Sequence, residues 1–162
     1  MTKTILSSLL LLCSVFFATT AFAQDQAKID DDILTAYFKK NKIKATKTAS
    51  GLYYVIHKKG EGETAKKGAK VGMNYLGRFL DGKKFDGNID ENYVPVEGRQ
   101  VLSFNVGVGM VIKGWDEGIL LLSKGARATL YIPSHLAYGP AGRPGIPPNS
   151  ILMFDVEMIS AN

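Results

Sequence analysis

From Gly51 onward the chain alternates apolar and polar positions with the period of strands. Val71, Met73 and Tyr75 alternate with Gly72, Asn74 and Leu76, and Leu52 to His57 forms an aromatic, β-branched run before them. Ala126, Ala128, Leu130 and Ile132 alternate with Arg127, Thr129 and Tyr131; Leu152, Phe154, Val156 and Met158 alternate with Met153, Asp155 and Glu157. Each of these last two strands is expected to have one core face and one wet face. A further strand is expected over Val101 to Val106, with Gly60-Glu61-Gly62-Glu63 as a connection and Asp81-Gly82 as a turn. The period lengthens to three and four at Ile112, Trp115, Ile119 and Leu122, which predicts one internal helix over 112–122. Upstream, Ile29, Ile33 and Tyr37 recur every four residues with Leu34 and Phe38 beside them. Asp30, Asp31 and Asp32 lie in the first turn and Lys39, Lys40 and Lys42 near the end, as the helix dipole favours. The pattern fits a helix packed on its own domain or an arm for a partner, and Lys44 to Ser50 reads as a linker. The expected fold is α+β: an antiparallel sheet covering one short helix, with a short N-terminal helical extension.

The first residues carry a different signal. Lys3 precedes an apolar run from Ile5 to Phe17, and Ala21-Phe22-Ala23 has the Ala-x-Ala form of a secretory cleavage site. The run is shorter than the ~20 residues of a membrane span. Cleavage after Ala23 is expected, leaving a periplasmic or secreted protein with no stable membrane insertion. The organisation is then a leader over 1–23, a helix and linker over 24–50, and one domain over 51–162. Cys13, the only cysteine, lies inside the apolar run. A lipid-attachment site would want a small residue just before it, and Leu12 stands there.

Composition narrows the chemistry. With 46% hydrophobic and 22% charged residues, the 162-residue chain reads as an ordinary globular protein. Its net charge of +5 is spread over scattered lysine pairs, which argues against nucleic acid as a partner. Just two histidines, His57 and His135, are available, without metal-ligand spacing. Ser134, His135 and Asp155 lack a nucleophile elbow. Gly107-Val108-Gly109 begins like a dinucleotide fingerprint, but Ile112 stands where the third glycine is needed. Asp116-Glu117 and Asp90-Glu91 read as solvated faces. No metal or cofactor is expected.

What remains is a set of aromatic residues near turns: Tyr75, Phe85, Trp115, Tyr138 and Phe154. They sit in Tyr75-Leu76-Gly77, Asp81-Gly82-Lys83-Lys84-Phe85-Asp86, Val111-Ile112-Lys113-Gly114-Trp115-Asp116-Glu117-Gly118, Ala137-Tyr138-Gly139, Gly142-Arg143-Pro144-Gly145-Ile146-Pro147-Pro148-Asn149 and Leu152-Met153-Phe154-Asp155-Val156-Glu157. In content and order these blocks resemble the FKBP-type peptidyl-prolyl cis-trans isomerases, over about Gly51 to Ile159. The resemblance implies a half-barrel sheet wrapped on the Trp115 helix. It also implies a pocket with Trp115 as floor, walls from Tyr75, Phe85, Val111, Ile112, Tyr138 and Phe154, Leu102 at a position often aromatic, and Ile146 from an overhanging loop.

Such a pocket suits isomerisation because rotation about an X-Pro bond passes through a twisted amide of reduced charge separation, which a water-poor site favours. Tyr75, Phe85, Asp86 and Tyr138 are the expected catalytic group. Tyr138 would donate to the substrate carbonyl, and Asp86 would accept from Tyr75 to orient that ring. The segment from Gly87 to Val101 is longer than in compact relatives, with Arg99 the one candidate partner for Asp86. The overhanging loop, Gly145-Ile146-Pro147-Pro148, is a residue short of some relatives. The implied partners are proline-containing polypeptides, with tacrolimus or rapamycin as inhibitors, and a monomer is expected. A secreted chaperone or peptide-binding module with little turnover is the rival reading.

Overall fold

The computed structural model describes residues 25–162, so the expected leader and its Cys13 lie outside the described residues. Helix α1 covers 25–41. It closes on Lys42, which adopts φ 55°, and on Ile43, whose N–H reaches back to the Phe38 carbonyl at 2.9 Å. There follow β1 (Thr46–Lys47), β2 (Tyr53–Lys58), β3 (Glu61–Thr64), β4 (Lys70–Phe79), β5 (Lys84–Gly87), β6 (Leu102–Asn105), α2 (Lys113–Ile119), β7 (Ser123–Lys124), β8 (Arg127–Ile132) and β9 (Leu152–Ala161).

Seven strands form one antiparallel sheet in the order β1-β2-β8-β9-β4-β5, with β6 also on β4. The ten-residue β4 serves β6 with its first half and β5 with its second. The sheet curls over α2, and Met73, Trp115, Ile119, Leu130, Ile132, Leu152 and Val156 fill the space between. Contact between helix and sheet is closest at Gly114, where a Cβ would fall 2.4 Å from Ile132 Cγ2. Only a residue without a side chain lets the helix lie this near the strand.

Several elements depart from the sequence pattern. Lys44 to Ser50 is not purely a linker, because Thr46 and Lys47 pair with β2. Gly60 to Glu63 is not purely a connection, because β3 pairs with β7. The internal helix ends at Ile119, and Leu122 is buried just ahead of β7.

The outer faces of β8 and β9 are not fully wet: Tyr131 and Met153 are buried against Leu34 and Phe38 of α1, with Tyr53 and Ile151. The stripe α1 buries is Asp30, Leu34 and Phe38, while Ile29 and Ile33 are 45% and 46% exposed. Asp30 belongs to that stripe because its Oδ2 accepts from both the N–H and the hydroxyl of Ser134, at 2.7 and 2.6 Å. A buried carboxylate is tolerated when donors surround it in this way. The helix is thus packed on its own domain.

Two measurements check this packing. Phe38→Ala should lower unfolding stability by about 3 kcal/mol in denaturant titration, as expected for a large core truncation. Gly114→Ala should also destabilise, by roughly 1–3 kcal/mol, because overpacking outweighs alanine's better helix propensity. A neutral or stabilising Gly114→Ala would contradict the close helix–sheet contact.

Candidate active site

The sheet's concave side opens beside the N-terminal end of α2 into a cavity of about 300 Å³. Its position follows from β4, on which Met73, Tyr75, Gly77 and Phe79 face inward by alternation. Tyr75 comes from β4, Phe85 and Asp86 from β5, Leu102 from β6 and Phe154 from β9. Val111, Ile112 and Trp115 come from the entry to α2, and Tyr138 from the turns after β8. These are all the sequence-predicted site residues except Ile146, which is 4% exposed and lines an adjoining groove instead. Its side chain joins the core that the sheet and α2 share. Phe85 and Asp86 lie on β5 just past the Asp81-Gly82 turn, paired with β4 across a register shift at Gly77/Arg78.

The aromatic rings are locked edge to face. Trp115 meets Tyr75 at 5.3 Å and Phe154 at 5.2 Å, both with interplanar angles of 85°, and Phe85 meets Phe154 at 5.5 Å and 88°. Such pairs are worth ~1 kcal/mol each beyond the area they bury. Gly77 lies behind this cluster: a Cβ there would stand 2.8 Å from ring carbons of both Phe85 and Phe154.

Polar groups at the cavity divide into committed and free donors. Tyr75 donates its hydroxyl proton to Asp86 Oδ2 at 3.0 Å, while Asp86 Oδ1 accepts from the Gly87 N–H at 2.9 Å and faces Arg99 Nη1 at 3.9 Å. Burial, and then the bond to Asp86 and its charge, push the Tyr75 phenol up to about 12. Tyr75 is therefore a fixed ring with its proton spoken for. Tyr138 is arranged the other way: its oxygen accepts from Arg143 Nη1 at 3.0 Å, which leaves its own proton to donate. The buried Trp115 indole N–H has no partner among the described residues.

Sequence reasoning missed three contributors. Met110 and Arg143 line the cavity. Asn88 is buried and holds the site together: its carbonyl accepts from the Tyr75 N–H at 2.7 Å, and its amide donates to the Met73 and Gln100 carbonyls at 3.1 and 2.9 Å. Both ends of the long 87–101 segment are thereby tied to β4. No pattern in the sequence marks a carboxamide for that task. Asp116 is not merely a solvated acid, since it accepts from the Gly107 and Gly109 N–H groups at 2.8 and 2.7 Å and shapes the loop that presents Met110 and Val111.

A curled antiparallel sheet closed over one helix, with a helix-borne indole under an aromatic cavity, defines a half-barrel α+β domain. Residues 61–159 match the sequence profile of the FKBP-type peptidyl-prolyl cis-trans isomerases, and the chain belongs to that family. FkpA of Escherichia coli is 44% identical over 119 residues, 73% of this chain and 41% of that protein. FK506-binding protein 1 of Candida glabrata is 47% identical over 105 residues, 64% of this chain and 86% of that protein. FK506-binding protein 4 of Neurospora crassa is 44% identical over 113 residues, but the match spans 22% of that protein. Among solved structures, that of Escherichia coli FkpA aligns with a TM-score of 0.68 at 33% identity, over all of this chain and 74% of that one. AtFKBP13 aligns with a TM-score of 0.66 at 36% identity, over 74% of this chain and all of that one. Bacterial and fungal proteins match alike, so the similarity defines the family and not a secreted bacterial branch of it.

Two variants probe this geometry. Gly77→Ala should displace the Phe85 and Phe154 ring edges, changing the near-ultraviolet circular dichroism and the fluorescence of the chain's single tryptophan while the sheet still forms. For Tyr75, a phenol pKa raised in the fold means stability present below pH 10.0, its ordinary value, and lost as pH rises towards about 12. Tyr75→Phe should therefore flatten part of the alkaline decline in melting temperature; an unchanged decline would exclude that linkage.

Proposed function

We propose that the chain is a peptidyl-prolyl cis-trans isomerase that seats the proline ring of an X-Pro segment in the aromatic cavity. The observation that carries this reading is the pairing of apolar, edge-locked walls with one free hydroxyl donor, on Tyr138. The reaction needs no nucleophile and no proton transfer. It needs a site that binds the twisted amide better than either planar form. Removal from water favours the less polar twisted state, and the Tyr138 proton holds the carbonyl oxygen on one side of the bond while the proline side rotates. Tyr75, bound to Asp86, keeps its ring fixed and does not compete for that carbonyl.

The expected leader supports a setting outside the cytoplasm, in the periplasm or beyond, where the enzyme would speed the proline-limited folding of exported proteins. Mass spectrometry of the protein recovered from its own cells should find a chain starting at Gln24. Tacrolimus or rapamycin would occupy the same cavity, and the domain would work as a monomer. A holding activity towards unfolded chains is a second reading. It is favoured by the exposed apolar residues Val101, Leu102, Val108 and Met110, two of which line the cavity.

The purified chain should accelerate the cis-to-trans change of a short X-Pro peptide. Phe85→Ala should lower kcat/KM about ten-fold, equivalent to ~1.4 kcal/mol of transition-state contact. Tyr138→Phe, which removes only the hydroxyl, should lower it roughly three- to ten-fold, the range of a single hydrogen bond. A folded chain without any acceleration would favour the holding activity instead.

A further inference from the structure

Arg143 lines two cavities at once: the aromatic one and a wider groove next to it, of about 610 Å³. The groove is walled by Phe79, Pro144, Ile146 and Pro147, and Lys83 also lines it. The two cavities therefore meet at Arg143, close to where a proline beside Tyr138 would sit.

The Arg143 guanidinium is positioned rather than free. Its backbone exchanges two hydrogen bonds with Ile146, at 2.9 and 2.8 Å, across a tight turn with Pro144 and Gly145 at its centre and Gly145 at φ 82°. Its Nη1 is on the Tyr138 oxygen, and the guanidinium carbon lies 4.9 Å from the centre of the Tyr138 ring. A cation held in this way loses little entropy when it meets an anion. Among the described residues neither Arg143 nor Lys83 forms an ion pair. Asp86 faces Arg99, and Asp81 accepts from the backbone N–H of Lys83. The charged groups the groove offers are therefore cationic, set in largely apolar walls.

We propose that this groove is a second subsite for the substrate chain and that it selects segments carrying a carboxylate near the proline, which meets Arg143 and Lys83. The inference rests on the isomerase reading of the aromatic cavity.

The test is a set of X-Pro peptides of equal length in which a single Glu, Gln or Lys is moved through the positions flanking the proline. At low salt, kcat/KM for Glu should exceed that for Lys about five-fold at one or two positions, the scale of exposed ion pairs. The ratio should fall towards one at 1 M salt, where the screening length is ~3 Å. In Lys83→Glu the Glu-to-Lys ratio should drop or invert, with the Gln peptide as the reference within the same variant. Equal rates for Glu and Lys at every position, with the Gln peptide accelerated, would overturn the subsite and leave the isomerase reading standing. No acceleration of any peptide by the folded chain would overturn both.

Discussion

The structure depends on how near helix α2 comes to strand β8. Gly114 is the point of contact, where a Cβ would overlap the Ile132 side chain. That closeness sets the depth at which the next residue, Trp115, lies under the sheet. The indole then reaches Tyr75 and Phe154 at edge-to-face distance, and these rings in turn fix Phe85. A side chain at Gly114 would lift the helix and open the ring contacts together, because interiors at crystal-like density do not absorb a displacement locally.

The sheet is buried on both sides over part of its area, and the two sides do different work. The concave side holds α2 and the aromatic cavity. The convex side carries α1, fastened by the Asp30–Ser134 bonds and by Phe38 against Tyr53 and Tyr131. Ser134 begins the turn that leads to Tyr138, so the carboxylate of α1 also steadies the chain just ahead of the cavity's hydroxyl donor. The N-terminal helix thus supports the site from behind without touching it.

Much of this was legible in the sequence wherever a period or an ordered set of motifs carried it. Strands β2, β4, β6, β8 and β9, the Trp115 helix and the aromatic wall residues could all be read in advance. The failures share a cause. Strands β1 and β3 lack apolar alternation, with every residue exposed, and exist because a partner strand lies beside them. Ile29 and Ile33 promised the buried face of α1, but a carboxylate with two donors opposite it turned the helix towards Asp30 instead. Ile146 fell outside the cavity because the Pro144-Gly145 turn folds it back into the core. Asn88 and Arg143 act through bonds to residues distant in sequence or on another turn, which no local pattern records.

The way the cavity's polar groups are assigned bears on what kind of chemistry the site can perform. A hydroxyl that gives its proton to a carboxylate, as Tyr75 does, is an orienting group and a poor partner for an incoming carbonyl. A hydroxyl that receives a bond from a guanidinium, as Tyr138 does, is polarised towards donation. Of the two hydroxyls that line the cavity, only that of Tyr138 has a proton left for a peptide carbonyl. On the proposed reading, a difference in hydrogen bonding between the two hydroxyls orients the carbonyl, and the apolar walls lower the barrier. Because Arg143 both donates to Tyr138 and borders the neighbouring groove, the cation that would bias this hydroxyl is also placed to feel the charge of residues flanking a bound proline.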